Sequence, residues 1–172
     1  GKIYGGNLKV GDEVTVLPSL KTSRVKEIFA FDDNFDEAIS GASVTITLEN
    51  DINIARGDTL VKSHEIPKTD KELNATVCWM DNKVLVPGTK YVLQLNTKEV
   101  LARINHVKET IATDFSGKNE GVEKLALNDV GTVNIQLSKP LYYDAYEEHK
   151  ANGAFILVDP QTNTTAGVGF IN

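Results

Sequence analysis

A single cysteine, Cys78, stands among the 172 residues. One thiol cannot form an internal disulfide and offers no cysteine cluster to a metal, a pattern that fits a reducing, cytoplasmic setting. No apolar run approaches the length a membrane helix needs, and the start Gly1-Lys2-Ile3-Tyr4 has no basic, apolar leader. Arginine is scarce as well: Arg24, Arg56 and Arg103 are the only three, and they lie far apart in sequence. Phosphate recognition calls for clustered arginine and lysine, which argues against a nucleic-acid partner, and the lack of a long apolar run leaves no membrane partner expected. The net charge of -6 points the same way. Residues 1–66 and 67–172 are both acidic, so neither half hides a basic stripe. Nor does any G-x-x-x-x-G-K-[S/T] segment occur, and with it goes the backbone cradle and lysine that hold nucleotide phosphates.

What is present is alternation. Val14-Thr15-Val16, Val44-Thr45-Ile46-Thr47-Leu48 and Val133-Asn134-Ile135-Gln136-Leu137 follow the period of two that marks half-buried strands. Turn formers separate such runs: Val10-Gly11-Asp12, Asp32-Asp33-Asn34, Arg56-Gly57-Asp58, Pro87-Gly88, Ser116-Gly117 and Asn152-Gly153. Many short strands at this spacing predict an all-β fold of two consecutive small antiparallel β-barrels. One short helix is expected over residues 145–150, where Asp144 would cap and Glu147 follows three residues later, before Asn152-Gly153 ends it. Ser63, just before, and Pro67, Thr69 and Asp70 within residues 64–71 interrupt the alternation, which places the domain boundary there and divides the chain into 1–66 and 67–172.

The last third reads Leu127-Asn128-Asp129-Val130-Gly131, Pro140-Leu141, Asp144-Ala145-Tyr146 and Gly153-Ala154-Phe155-Ile156-Leu157-Val158-Asp159, then Asn163-Thr164-Thr165-Ala166-Gly167-Val168-Gly169. In that order and spacing it resembles the C-terminal barrel of the GTPase subunit of bacterial sulfate adenylyltransferase, a relative of the translation elongation factors. Gly5-Gly6-Asn7-Leu8-Lys9-Val10-Gly11-Asp12-Glu13-Val14, the Phe29-Ala30-Phe31-Asp32 turn and Ile52-Asn53-Ile54-Ala55-Arg56-Gly57-Asp58 resemble the second domain of the same branch, and Val77-Cys78-Trp79-Met80 with Leu85-Val86-Pro87-Gly88 continue the likeness. One departure is visible. The family tends to read Asn-Arg-x-Thr-Gly where this chain has His149-Lys150-Ala151-Asn152-Gly153, so no role of that asparagine or arginine carries over.

The resemblance implies elongation-factor domain II-like and domain III-like barrels, with residues 1–66 lacking an initial strand and therefore exposing an edge. It also implies a parent enzyme of sulfate assimilation and cysteine biosynthesis, a nucleotidyltransferase that binds ATP and GTP. The intact subunit would couple GTP hydrolysis to formation of adenylyl sulfate from ATP and sulfate on a separate catalytic subunit. GTP and magnesium would belong to a GTPase domain outside this sequence, and Asn82-Lys83-Val84-Leu85 is no substitute for its guanine reader, because Leu85 accepts no hydrogen bond. The expected partners are the catalytic subunit and that GTPase domain. Two alternatives stay open: translation-factor barrels that bind aminoacyl-tRNA, and a free-standing β interaction module.

No catalytic, cofactor-binding or metal-ligating residue is assigned. Asp32, Asn34 and Asp36 have calcium-loop spacing, but Glu37 and Ser43 occupy the positions where such a loop needs glycine and a bidentate glutamate. An acidic hairpin turn explains them. His106 shares the parity of Val100, Ala102 and Ile104 and is expected inside the barrel or near a strand end. His64 and His149 fall at exposed linker and helix-end positions. Cys78 has no basic neighbour to stabilise a thiolate and, like Trp79, reads as packing. Ser19, Ser23 and Ser116 lack a G-x-S-x-G context. Arg56-Gly57-Asp58 is a tight turn between two strands. Lys118, Lys124, Lys139 and Lys150 are scattered among acids as solvated surface, and the sequons at Asn74 and Asn163 are chance.

Overall fold

In the computed structural model, which describes residues 1–111 and 117–172, nearly every regular element is a strand that turns one face inward and the other to water. The chain divides into two compact units, Gly1–Pro67 and Lys68–Asn172. Ser116 lies outside the described residues.

The first unit contains β1 (Asn7–Lys9), β2 (Glu13–Leu17), β3 (Lys21–Ala30), β4 (Asp33–Phe35), β5 (Glu37–Ile39), β6 (Thr45–Leu48) and β7 (Thr59–Lys62). The long strand β3 organises it, pairing β2 with its first residues and β6 and β4 with its last. Val14, Val25, Ile28 and Val44 meet Leu8 of β1 and Ala38 of β5 in one buried cluster, so the two-stranded β1–β5 ribbon packs on the inner face of the larger sheet. Burying a side chain of this size contributes about 1.5–3 kcal/mol. Lys2 bridges Ser43, and the Gly1 carbonyl accepts the Val44 N–H at 2.8 Å. The only strand partner of β6 is β3 and that of β7 is β2, which leaves each with an outer edge free of strand pairing among the described residues.

The Arg56-Gly57-Asp58 turn is closed by the Asp58 carboxylate, which accepts the Ala55 N–H at 2.9 Å, and Gly57 takes φ 100°. It leads into β7. The residues before it are irregular, so it does not join two strands as expected.

The second unit contains β8 (Lys68–Trp79), β9 (Lys90–Leu95), β10 (Lys98–Ile111), β11 (Lys118–Glu120), β12 (Val130–Tyr143), the helix α1 (Lys150–Gly153), β13 (Ala154–Val158) and β14 (Thr165–Ile171). Its strands run in the order β11-β10-β12-β8-β14-β13-β9, and β9 pairs back onto β10. That return closes an antiparallel barrel, and β11 pairs Glu109–Ile111 of β10 on the edge opposite β12. Its core takes every second residue of β8, Leu73, Ala75, Val77 and Trp79, with their counterparts from the other strands.

Two expectations are corrected here. The helix occupies Lys150–Gly153, not residues 145–150, and His149 caps it by accepting the Asn152 N–H on Nδ1 at 3.1 Å. Asp144 does not cap. Its carboxylate takes the Asn152 side-chain amide at 2.8 Å, while Glu148 and His149 both donate to the Ala145 carbonyl and make a turn. Gly153 completes the helix because a β-carbon there would meet the Tyr146 backbone at 2.4 Å. His149 is accordingly half-buried at the helix start. His106 is exposed, not interior. A β-bulge at Asn105 inserts one extra residue against β12, so parity flips and Val107 goes inside in its place.

Candidate functional site

The second unit presents its most organised chemistry around Trp79. The indole is fully buried and donates from Nε1 to the Lys83 carbonyl at 2.7 Å. Lys83 then reaches with Nζ to Asp159 Oδ2 at 3.2 Å, while Asp159 Oδ1 accepts the Gln161 N–H at 2.7 Å. Tyr91 stands edge-on to Trp79 with 5.3 Å between ring centroids. Burial pushes the Tyr91 hydroxyl up to about 12, and the carboxylates of Asp81 and Asp159 add to the shift. The Gln161 N–H holds the Asp159 carboxyl below its usual value against the opposing effect of desolvation, with help from Lys83 and Thr162. A charge-assisted clasp of this kind fixes two loops.

These loops carry apolar side chains outward. Leu85 and Leu125 bridge one another and are fully buried, so their neighbours Val84 and Val86 face water. Asn128 donates to the Trp79 carbonyl at 2.9 Å, which ties the loop that carries Leu127 to the end of β8. Met80, Val84, Val86 and Leu127 are 42–53% exposed. All four are carried by segments anchored on buried residues, Trp79, Leu85 and Leu125.

On the first unit the β3–β4 hairpin stands out. Phe31 and Asp32 form its two-residue tip, Phe31 is 100% exposed, and its φ is 54°. Asp32, Asn34 and Asp36 are exposed along the same hairpin. A cleft of about 280 Å³ in the same unit is lined by Asp12, Glu13, Lys62, Ser63 and His64. Its ammonium is already engaged, since Lys62 Nζ donates to Asn7 Oδ1 at 3.0 Å and lies 3.5 Å from Asp12.

A polar ridge crosses the outer face of the second unit. Asn134 of β12 is buried, accepts from Asn105 of β10 at 2.8 Å, and donates to Glu72 and Asn74 of β8 at 2.8 and 3.0 Å. The β10 bulge turns Asn105 and His106 out beside it. Alternation along β12 puts Asn134 on the outer face, and the cross-strand register brings its three partners together there.

The remaining candidates stay apart. Trp79 is core, Cys78 is half-buried on the outer side of β8, and His64 is exposed between β7 and β8. Ser23 is buried and accepts the Asn50 N–H at 3.1 Å. Lys124, Lys139 and Lys150 are exposed. Among the described residues no group of three or more His, Cys, Asp or Glu could hold a metal. No described helix is long and apolar enough to cross a membrane.

The fold is of the translation-factor two-barrel class. Residues 72–172 match the family described as GTP-eEF1A C-terminal domain-like, and residues 1–61 match Elongation factor Tu domain 2. The chain belongs to the GTP-eEF1A C-terminal domain-like family. Over 100% of its length it is 38% identical to sulfate adenylyltransferase subunit 1 of Colwellia psychrerythraea, of which it covers 37%. The same-named protein of Shewanella woodyi is 36% identical over 99% of the chain, with 36% of that relative covered. A bifunctional enzyme CysN/CysC of Rhodopirellula baltica is 38% identical over 99% of the chain, with 26% of that relative covered. The chain thus spans little more than a third of the sulfate adenylyltransferase subunits it matches. Among solved structures, sup35 complexed with GMPPNP superimposes with a TM-score of 0.88 over 99% of this chain and 42% of that one, at 19% identity. The likeness there is of fold.

Proposed function

We propose that the two units are the non-catalytic barrel region of a sulfate adenylyltransferase GTPase subunit, acting in cytoplasmic sulfate assimilation toward cysteine. In the intact protein this subunit couples GTP hydrolysis to synthesis of adenylyl sulfate from ATP and sulfate. The reading rests on similarity at 38% identity that covers both units. A barrel borrowed singly by an unrelated module would match over one unit.

On this reading the described residues do not themselves hold nucleotide or magnesium. They hold no candidate metal cluster, and their one helix has four residues. On this reading GTP and magnesium are held by a GTPase domain outside this sequence, and this chain contributes surfaces. Rigid barrels suit that role: movement of an attached nucleotide-binding domain reaches a partner as a rigid-body shift.

The test is a pair of pull-downs of the catalytic subunit, one with this chain and one with a full-length subunit that carries it. Capture by either supports the reading. Capture by neither, with salt-sensitive retention of aminoacyl-tRNA by the full-length protein, replaces it with the translation-factor reading.

A further inference from the structure

The tip of the β3–β4 hairpin combines three properties that do not occur together by default. Phe31 is 100% exposed and buries nothing within its own unit. Its φ of 54° is a conformation that a bulky side chain rarely adopts and that glycine would take without strain. Glycine or asparagine usually fills such a tip. A large apolar residue kept where it contributes no packing and opposes the backbone geometry points to a role outside the unit.

The surroundings narrow that role. Asp32, Asp33 and Asp36 are exposed along the hairpin, and none of them takes part in an ion pair with a described residue. An exposed aromatic on a hairpin that carries unpaired carboxylates is repelled by phosphate backbones and by anionic lipid. A second copy of this chain brings the same carboxylates and the same net charge of -6, so it is repelled too. The complement is an apolar pocket with a rim of lysine or arginine, where the ring fills the centre and the carboxylates meet the rim.

We infer that Phe31 and its flanking carboxylates dock into an apolar, cation-rimmed pocket on the separate second subunit, an inference that rests on the function proposed above. The ring supplies most of the affinity and the carboxylates steer the encounter.

The decisive variant is Phe31→Gly. Phe31 is fully exposed and strained, so the substitution leaves the fold intact and raises the thermal midpoint of the first unit. Calorimetric titration is carried out with purified second subunit from the chain's own source organism, against this chain and against the full-length subunit carrying it. Binding by Phe31→Gly is expected to be weaker by about tenfold or more. Asp32→Asn with Asp36→Asn is expected to flatten the salt dependence of wild-type binding. Leu20→Gly, at another exposed turn with positive φ, is expected to bind as wild type does. Equal binding by Phe31→Gly and wild type overturns the inference while the proposed function stands. Failure of both wild-type proteins to bind overturns the proposed function and this inference with it. Concentration-dependent self-association that Phe31→Gly abolishes also overturns it, because the occupant is then a second copy.

Discussion

The Phe155 ring lies across Gly169, the residue paired with it on the neighbouring strand: a β-carbon at Gly169 would sit 2.1 Å from Phe155 Cζ. Both point into the second barrel, so the ring fills the space that the glycine leaves. Gly169→Ala therefore forces a buried aromatic off its rotamer and costs about 1–3 kcal/mol. Pairing it with Phe155→Leu should recover part of that loss. Urea unfolding followed by the emission of Trp79, the chain's single tryptophan, measures both.

Trp79 is itself the second test. Trp79→Phe keeps most of the apolar surface but removes the donor to the Lys83 carbonyl, a bond with a net value of about 0.5–1.5 kcal/mol. Release of that carbonyl loosens the loop that presents Met80, Val84 and Val86. Trypsin should cut at Lys83 sooner in the variant, and an unchanged cleavage rate would mean that the loop is held by its backbone bonds alone. Trp79→Ala should cost about 3–5 kcal/mol, because the indole is wholly buried.

The same clasp makes stability depend on pH at both extremes. The Asp159 pKa is lowered in the fold. Its contribution is present above the unfolded value of about 3.9 and is lost as pH falls through the folded value. Asp159→Asn should remove that acid-side loss. Tyr91 is raised to about 12, so its neutral form is favoured in the fold. Stability should then fall between about pH 10, where unfolded tyrosine ionises, and pH 12. Tyr91→Phe should flatten this alkaline limb in denaturation midpoints taken across the range.

Much of this fold is legible from period-two patterns and turn residues, because inward residues of β2, β8 and β12 alternate in sequence as they do in space. The limits have physical causes. Residues 68–72 belong to β8 yet are exposed, so alternation restarts only at Leu73, five residues after the strand begins. Parity puts His106 inside the barrel or near a strand end, and it is neither, because a bulge adds one residue without leaving a mark on composition. The helix was set one turn early because Asp144 followed by Glu147 imitates a capping box, while His149 does the capping. Of the surface features, the Phe29-Ala30-Phe31-Asp32 turn was visible as a motif. The exposure and backbone strain of Phe31 were not, since both depend on where β3 and β4 pair.

Nucleotide binding is a separate expectation. With no phosphate-cradling loop in the sequence, titration of this chain with GTP or with ATP should release no heat of specific binding. Micromolar affinity for either would reveal a site that neither the motifs nor the described residues identify.

Asn134 offers the sharpest charge test. Its side-chain amide donates to Glu72 Oε1 at 2.8 Å and to Asn74 at 3.0 Å while its carbonyl accepts from Asn105. Asn134→Ala strands those partners and should cost about 1–3 kcal/mol, the penalty for polar groups left without a bond. Asn134→Asp has nearly the same shape but puts a second carboxyl against Glu72. Two carboxylates at hydrogen-bond distance cannot both ionise cheaply, so one of them titrates above its unfolded value. A group raised in this way lends stability that is present below the unfolded pKa and is lost as pH rises through the folded one. The Asn134→Asp protein should accordingly be close to wild type near pH 4, where a shared proton replaces the amide donor, and markedly weaker at neutral pH. Chemical denaturation at the two pH values decides it, and equal losses at both would show that Glu72 swings away into solvent and leaves the ridge without it.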